Sequence, residues 1–240
     1  MNTTTRITNS WTLAAVAIAI VGMTIGSARA DVLYFDNFSG ASNATLTGTA
    51  PSVQPGSEVW SGNSNGDFRA DGTYDATPDY NGGVWLPFVP EAGNVYTLSA
   101  DVSDTGGGGP WTTLSYSAEN EDRYAAGGVD VYGLFLYRNT PGGQDVVSYL
   151  GRGLHTADTH AVAAGALALK VVLDATDLDS ASWTMEFFIN DTQVRVPTIA
   201  GQGDYGEIKY VGFTTYTSKG TIANFALSTP PPKGMVLVVR

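Results

Sequence analysis

The chain contains no cysteine, so no disulfide holds the fold, and thiol catalysis and cysteine metal sites are excluded. Basic residues are scarce: 12 Lys and Arg stand against 23 Asp and Glu, a formal net charge of −11. With no basic cluster to attract phosphates or anionic lipids, the chain is a poor candidate for binding nucleic acid or anionic membrane. Histidine occurs only in HTADTH, as His155 and His160. A five-residue spacing puts the two rings on opposite faces of a strand, so the stretch reads as a polar loop rather than a pair of metal ligands. No G-x-S-x-G nucleophile elbow occurs. Gly151-Arg152-Gly153 lacks the third glycine of a dinucleotide loop.

Long apolar runs are also missing. The longest, Thr12 to Ile25, falls short of the about 18 residues that suggest a membrane span. Arg6 precedes it and the small-residue site Ala28-Arg29-Ala30 follows. This is the layout of a secretory signal peptide over residues 1–30, cleaved after Ala30. Its removal leaves 210 residues, enough for one domain with a substantial core. Loss of Arg6 and Arg29 takes the formal charge to −13, which suits a soluble exported protein. Export without disulfides points to a bacterial protein, so the sequons at Asn37, Asn43 and Asn190 are expected to be incidental.

What is present is Gly, Thr, Ser, Asp and aromatic residues, in short apolar runs separated by turns: the composition of an all-β protein. In NVYTLSADV, Tyr96, Leu98, Ala100 and Val102 share one face; in GALALKVVLDA, Leu167, Leu169, Val171 and Leu173 do the same. VDVYGLFLYR, Val129 to Arg138, is apolar on both faces, as in a strand covered on both sides or bordering a cleft. In WTMEFFINDTQV, Trp183, Met185, Phe187 and Ile189 form the apolar face, Glu186 falls opposite, and Asn190-Asp191 suits a tight hairpin turn. Pro90–Gly93, Asn139–Gly143 and Ser218–Gly220 read as turns, and Gly106–Gly109 and Ser61–Asp67 as loops. No long 3.6-residue period occurs after the signal peptide, so almost no helix is expected. Pro230-Pro231-Pro232 should end the last strand and open a disordered tail, residues 229–240.

The order of these segments carries a resemblance. VLYFDNFSG opens the mature chain and TIANFALS forms its last strand; between them come LPFVPEAGNVYTLSADV, LALKVVLDA, WTMEFFIND and IKYVGFTTY. This resembles exported bacterial proteins of the concanavalin A-like lectin/glucanase superfamily, laminin-G-like in shape, over roughly residues 32–228. Many such proteins carry a C-terminal PEP-CTERM sorting signal. The resemblance implies two curved antiparallel sheets in a jelly-roll β-sandwich, residues 31–228, with the first and last strands adjacent. The tail departs from the sorting pattern, since Pro230-Pro231-Pro232 is followed by only a short apolar piece, Met235 to Val239, before Arg240. No stable membrane span is expected in the mature chain.

The chemistry divides between binding and cleavage. A retaining glucanase needs two carboxylates about 5–5.5 Å apart. In the glucanase branch, the resemblance implies, they come from one strand as Glu-x-Asp-x-x-Glu. No strand here has that pattern, and in the acidic stretch Ser117 to Asp122 the spacing is wrong. Glu186 and Glu207 on neighbouring strands remain the candidate pair. Candidate stacking platforms for a sugar are Trp60, Trp85, Trp111, Tyr116, Tyr132 and Tyr216. No cofactor is called for. The one metal that suits the residues is calcium, through hard oxygen ligands at Asp67, Asp71, Asp75 and Asp79. The leading expectation is a monomeric, exported, non-catalytic domain that binds carbohydrate or another cell-surface polymer. The alternatives are a glycoside hydrolase or polysaccharide lyase, and a purely structural surface or matrix protein.

Overall fold

The computed structural model of the chain describes residues 30–62, 68–75, 81–104, 111–120, 131–140, 143–152, 157–195, 204–217 and 219–230. Residues 1–29, where a signal peptide is expected, the residues beyond Pro230 and the expected Gly106–Gly109 loop lie outside these residues. Along the chain run β1 (Asp31–Asp36), β2 (Ser61–Gly62), β3 (Thr73–Asp75), β4 (Asn81–Pro87) and β5 (Asn94–Asp104). Next come β6 (Trp111–Ser117), β7 (Val131–Thr140), β8 (Gly143–Arg152), β9 (Ala157–Val162) and β10 (Leu167–Ala175). The last four are β11 (Thr184–Ile189), β12 (Thr192–Arg195), β13 (Tyr210–Tyr216) and β14 (Lys219–Thr229). Helix among the described residues is limited to single 3-10 turns at Ser180–Ser182 and Tyr205–Glu207.

The strands form two seven-stranded antiparallel sheets, a jelly-roll β-sandwich. The first has the order β1-β14-β5-β10-β11-β12, with β3 also on β14; the second runs β2-β4-β13-β6-β7-β8-β9. The expected neighbourhood of first and last strands is present: Asp31 pairs with Thr229 and Asp36 with Phe225. Alternation sets which side chains meet between the sheets. Tyr96, Leu98, Ala100 and Val102 of β5, and Leu167, Leu169, Val171 and Leu173 of β10, are all buried there. In β11, Met185, Phe187 and Ile189 turn inward while Glu186 does not. Asn190 and Asp191 have φ of 48° and 62°, the doubly left-handed geometry of a two-residue type I′ hairpin turn between Ile189 and Thr192.

Two sequence expectations change. Residues 157–160 of the histidine stretch are not a loop but part of β9, paired to β8; His155 lies outside the described residues. The strand forms because β8 offers an unpaired edge, which outweighs the polarity of ADTHAV. β9 is tied to the first sheet through Arg195 of β12: its guanidinium, in a residue 7% exposed, donates to the Ser148 carbonyl at 2.8 Å and pairs with Asp158 at 3.3 Å. His160 Nε2 lies 3.2 Å from Ser148 Oγ, and burial pushes the imidazole below its ordinary value. Likewise Ser61 and Gly62, expected in a loop, form β2 against Trp85 and Val84.

β7 is buried along Val131–Tyr137, as its two-sided apolarity implied. It is interrupted at Gly133, where register shifts against both β6 and β8 and φ is +58°. A Cβ at this bulge would overlap Met185 Sδ on the facing sheet. Gly133→Ala is therefore expected to lower stability by about 2–4 kcal/mol, from overpacking and a disfavoured φ together. Urea unfolding measures this; an unchanged midpoint would show that the sheets separate freely there.

Candidate functional site

The six aromatic candidates divide by sheet face. Trp60, Tyr116 and Tyr132 are fully buried in the core between the sheets, which removes them as sugar platforms. Each has a structural reason to be inside. Trp60 packs 5.1 Å from Phe213 and 4.9 Å from Phe225, and its indole Nε1–H donates to Asp36 Oδ2 at 2.7 Å. Tyr116 packs against Phe88, and burial drives its phenol far above the usual range. The Tyr132 hydroxyl reaches the rim of the core and donates to Glu207 Oε2 at 2.7 Å.

Trp85, Trp111 and Tyr216 instead lie together on the outer face of the second sheet, in a cluster with Val131, Leu134, Leu136 and Val147. Strand register explains this. Tyr216 pairs with Trp111, Trp111 with Arg138, and Arg138 with Asp145, so one row crosses β13, β6, β7 and β8 on a single face. At about 4.8 Å per strand the row is about 14 Å long. The Tyr216 and Trp111 rings stack with centroids 5.5 Å apart at an interplanar angle of 27°. Tyr216 is 37% exposed, whereas Trp111 is 9% and Trp85 1% exposed; the tryptophans support the face and Tyr216 is the ring that solvent reaches. Arg138 grips Asp145 through two bonds, Nε to Oδ1 and Nη2 to Oδ2, the latter 2.9 Å. That hydrogen bond raises the guanidinium further above its ordinary value.

Below this row lies a second, Thr214 opposite Thr113, whose hydroxyls bond at 2.7 Å. Below that Gly212 faces Ser115 and lies beneath Trp85. A Cβ at Gly212 would overlap the Val84 carbonyl and come within 2.9 Å of the Trp85 ring, so glycine lets the indole lie flat on the sheet. Ser115 Oγ is fully buried and has no hydrogen-bond partner among the described residues. Tyr149 and Tyr210 pack against the same cluster.

The carboxylate candidates are not brought together. Glu186 points away from the second sheet, opposite Val172 on the outer face of the first. Glu207 is bonded to Tyr132 of the second sheet. A double-displacement pair needs both acids on one cleft. Of the calcium candidates, Asp67 and Asp79 lie outside the described residues. Asp71 accepts from Thr73 N and Oγ1 at 3.0 and 2.7 Å, and Asp75 pairs with Lys219 at 2.9 Å. Both are used in holding β3, and no group of three acids or histidines suited to a metal occurs among the described residues.

Sequence reasoning missed Arg138 and Asp145, though a signal existed: opposite charges flank the expected turn Asn139–Gly143, and the two residues pair across β7 and β8. Asp36 carried no such signal, since a strand-terminal acid is ordinarily solvated.

Among solved structures, the chain is similar to alginate lyase Aly36B, with 14% identity over 85% of this chain and 98% of that one (TM-score 0.46). It is also similar to the potassium-bound carbohydrate recognition domain of Emp46p, with 14% identity over 73% and 89% (TM-score 0.43). A third is an endo-beta-1,4-glucuronan lyase from the fungus Trichoderma reesei, with 12% identity over 83% and 96% (TM-score 0.43). Similarity at this level concerns overall architecture and assigns neither ligand nor activity. No family model and no curated protein matches the sequence.

Burial lifts the Asp36 carboxyl above its ordinary value, against the pull of the bonds from Trp60 and the Phe38 N–H. The folded chain then holds this proton more readily than the unfolded one. The group favours folding at low pH and turns against it as pH rises through the raised folded value. Relative to the native chain, Asp36→Asn should gain stability as pH climbs from about 4. Urea unfolding from pH 4 to 7 measures this; a pH-independent difference would contradict it.

Proposed function

We propose that this chain is an exported, non-catalytic β-sandwich that binds a polysaccharide across the outer face of its second sheet. The observation that carries the reading is the row Tyr216–Trp111–Arg138–Asp145. A sugar ring presents an apolar C–H face and an edge of hydroxyls. The Tyr216 ring, backed by Trp111, offers a flat apolar surface. The adjacent Arg138–Asp145 pair offers donors and acceptors already held in place, so little side-chain entropy is lost on binding. A row about 14 Å long suits several linked sugars rather than one ring. The signal layout at residues 1–30 supports export.

Tyr216→Ala should weaken polysaccharide binding about tenfold, or 1.4 kcal/mol, by removing the exposed ring. Glu186→Gln and Glu207→Gln should leave binding unchanged, and no reducing ends should be released. Affinity gel electrophoresis against neutral and acidic polysaccharides, with calcium or with chelator, is the measurement. Retardation by none of them would favour a structural surface protein, and cleavage lost in either Gln variant would favour an enzyme.

A further inference from the structure

We propose that the outer face of the first sheet holds a second site, which takes a single neutral sugar ring through its hydroxyls. The face carries a pocket of about 230 Å³ lined by Ser99, Asp101, Ala168, Lys170, Asp191 and Asn224. Clefts for drug-sized ligands run to about 300–1,000 Å³, so this one admits a small molecule or the end of a chain.

Three separate devices aim its polar groups. Asn224 sits at the β14 bulge, where register against β5 shifts between Ala223 and Ala226, with φ of +51°. The bulge turns Phe225 into the core and Asn224 outward. Asn224 Nδ2 then donates to Asp101 Oδ2 at 2.7 Å. On the other side, the type I′ turn brings Asp191 against β10, where Lys170 Nζ donates to its Oδ1 at 2.6 Å. The turn is clamped to that strand by Asn190, whose backbone N–H donates to the Ala168 carbonyl and whose Oδ1 accepts from Ala168 N, both at 2.9 Å. Lys170 Nζ also lies 4.7 Å over the Phe188 ring, which holds its long stem. Between the two pairs the wall is Ala168, opposite Asp101, and its methyl leaves the space open.

What remains unused defines the ligand. Asp101 Oδ1, Asn224 Oδ1 and Asp191 Oδ2 accept no bond from the described residues, and Lys170 keeps donors beyond the one given to Asp191. Three acceptor oxygens stand beside the remaining N–H groups of Lys170 and Asn224, and two carboxylates outweigh one ammonium, so a third carboxylate, carried by the ligand, is repelled. Neighbouring sugar hydroxyls, which both donate and accept, match the arrangement.

The site stands on the sheet face opposite to the Tyr216 row and is independent of it. The test is a saturation-transfer NMR titration of the full chain with methyl glucoside, methyl galactoside, methyl mannoside and glucuronate. At least one neutral hexoside should bind in the millimolar range, with glucuronate about tenfold weaker. Asn224→Gly, which tolerates the positive φ and removes only the amide, should weaken binding about tenfold. Ala168→Trp should abolish it by filling the pocket, and Tyr216→Ala should leave it unchanged. The proposal is overturned if no hexoside binds, if glucuronate binds as well, or if binding survives both Asn224→Gly and Ala168→Trp.

Discussion

Trp60 touches both sheets at once. Its ring meets Phe213 of the second sheet and Phe225 of the first, with Phe38 beside it at 6.1 Å, and its one polar atom is satisfied by Asp36. The residue itself belongs to neither long sheet: it precedes the two-residue β2 in a segment whose backbone bonds run to Gly48 and Thr49. An indole buried with its N–H unpaired would be costly, so the carboxylate at the end of β1 is what allows so large a ring into the core. Through that bond the first strand, the early loop and both sheets share one fixed point. The facing strands and the rows on their outer surfaces are aligned relative to it.

The two outer faces differ in kind. On the second sheet, apolar side chains continue outward through Trp85, Leu134, Leu136 and Val147, so β6 and β7 are buried on both sides. Strands enclosed in this way hold the Trp111–Tyr216 stack and the Arg138–Asp145 pair on a stiff base, which is what a preorganised surface needs. On the first sheet polar residues stand outward among a few apolar ones, and two pairs order them: Asn224 with Asp101, and Lys170 with Asp191. That face is shaped by a bulge and a turn rather than by packing.

Much of this was legible in the residues. Period-two alternation located the inward faces of β5, β10 and β11, and Asn190-Asp191 specified its turn, because both depend on local backbone chemistry. The neighbourhood of β1 and β14 followed from a resemblance, not from the alternation. Aromatic residues were harder. Trp60 and Trp111 look alike in sequence, yet one lies between the sheets and the other outside them. Trp60 enters from a loop tied to Gly48 and Thr49, while Trp111 faces outward by its strand register, and neither long-range arrangement leaves a local mark in the sequence. β9 was misread for a related reason: its polar pattern belongs to an edge strand whose partner, β8, supplies the order.

β14 has a consequence for how the domain is made. It pairs with β5 along one edge, and with β1 and β3 along the other. Three strands from the first half of the chain thus wait for a partner whose last residue is Thr229, almost two hundred positions after Asp31. Such long loops slow folding and leave unpaired edges exposed meanwhile. The first sheet cannot close until β14 has joined it. Until then the β14-side edge of β5 is a row of unpaired backbone groups to which another strand could add.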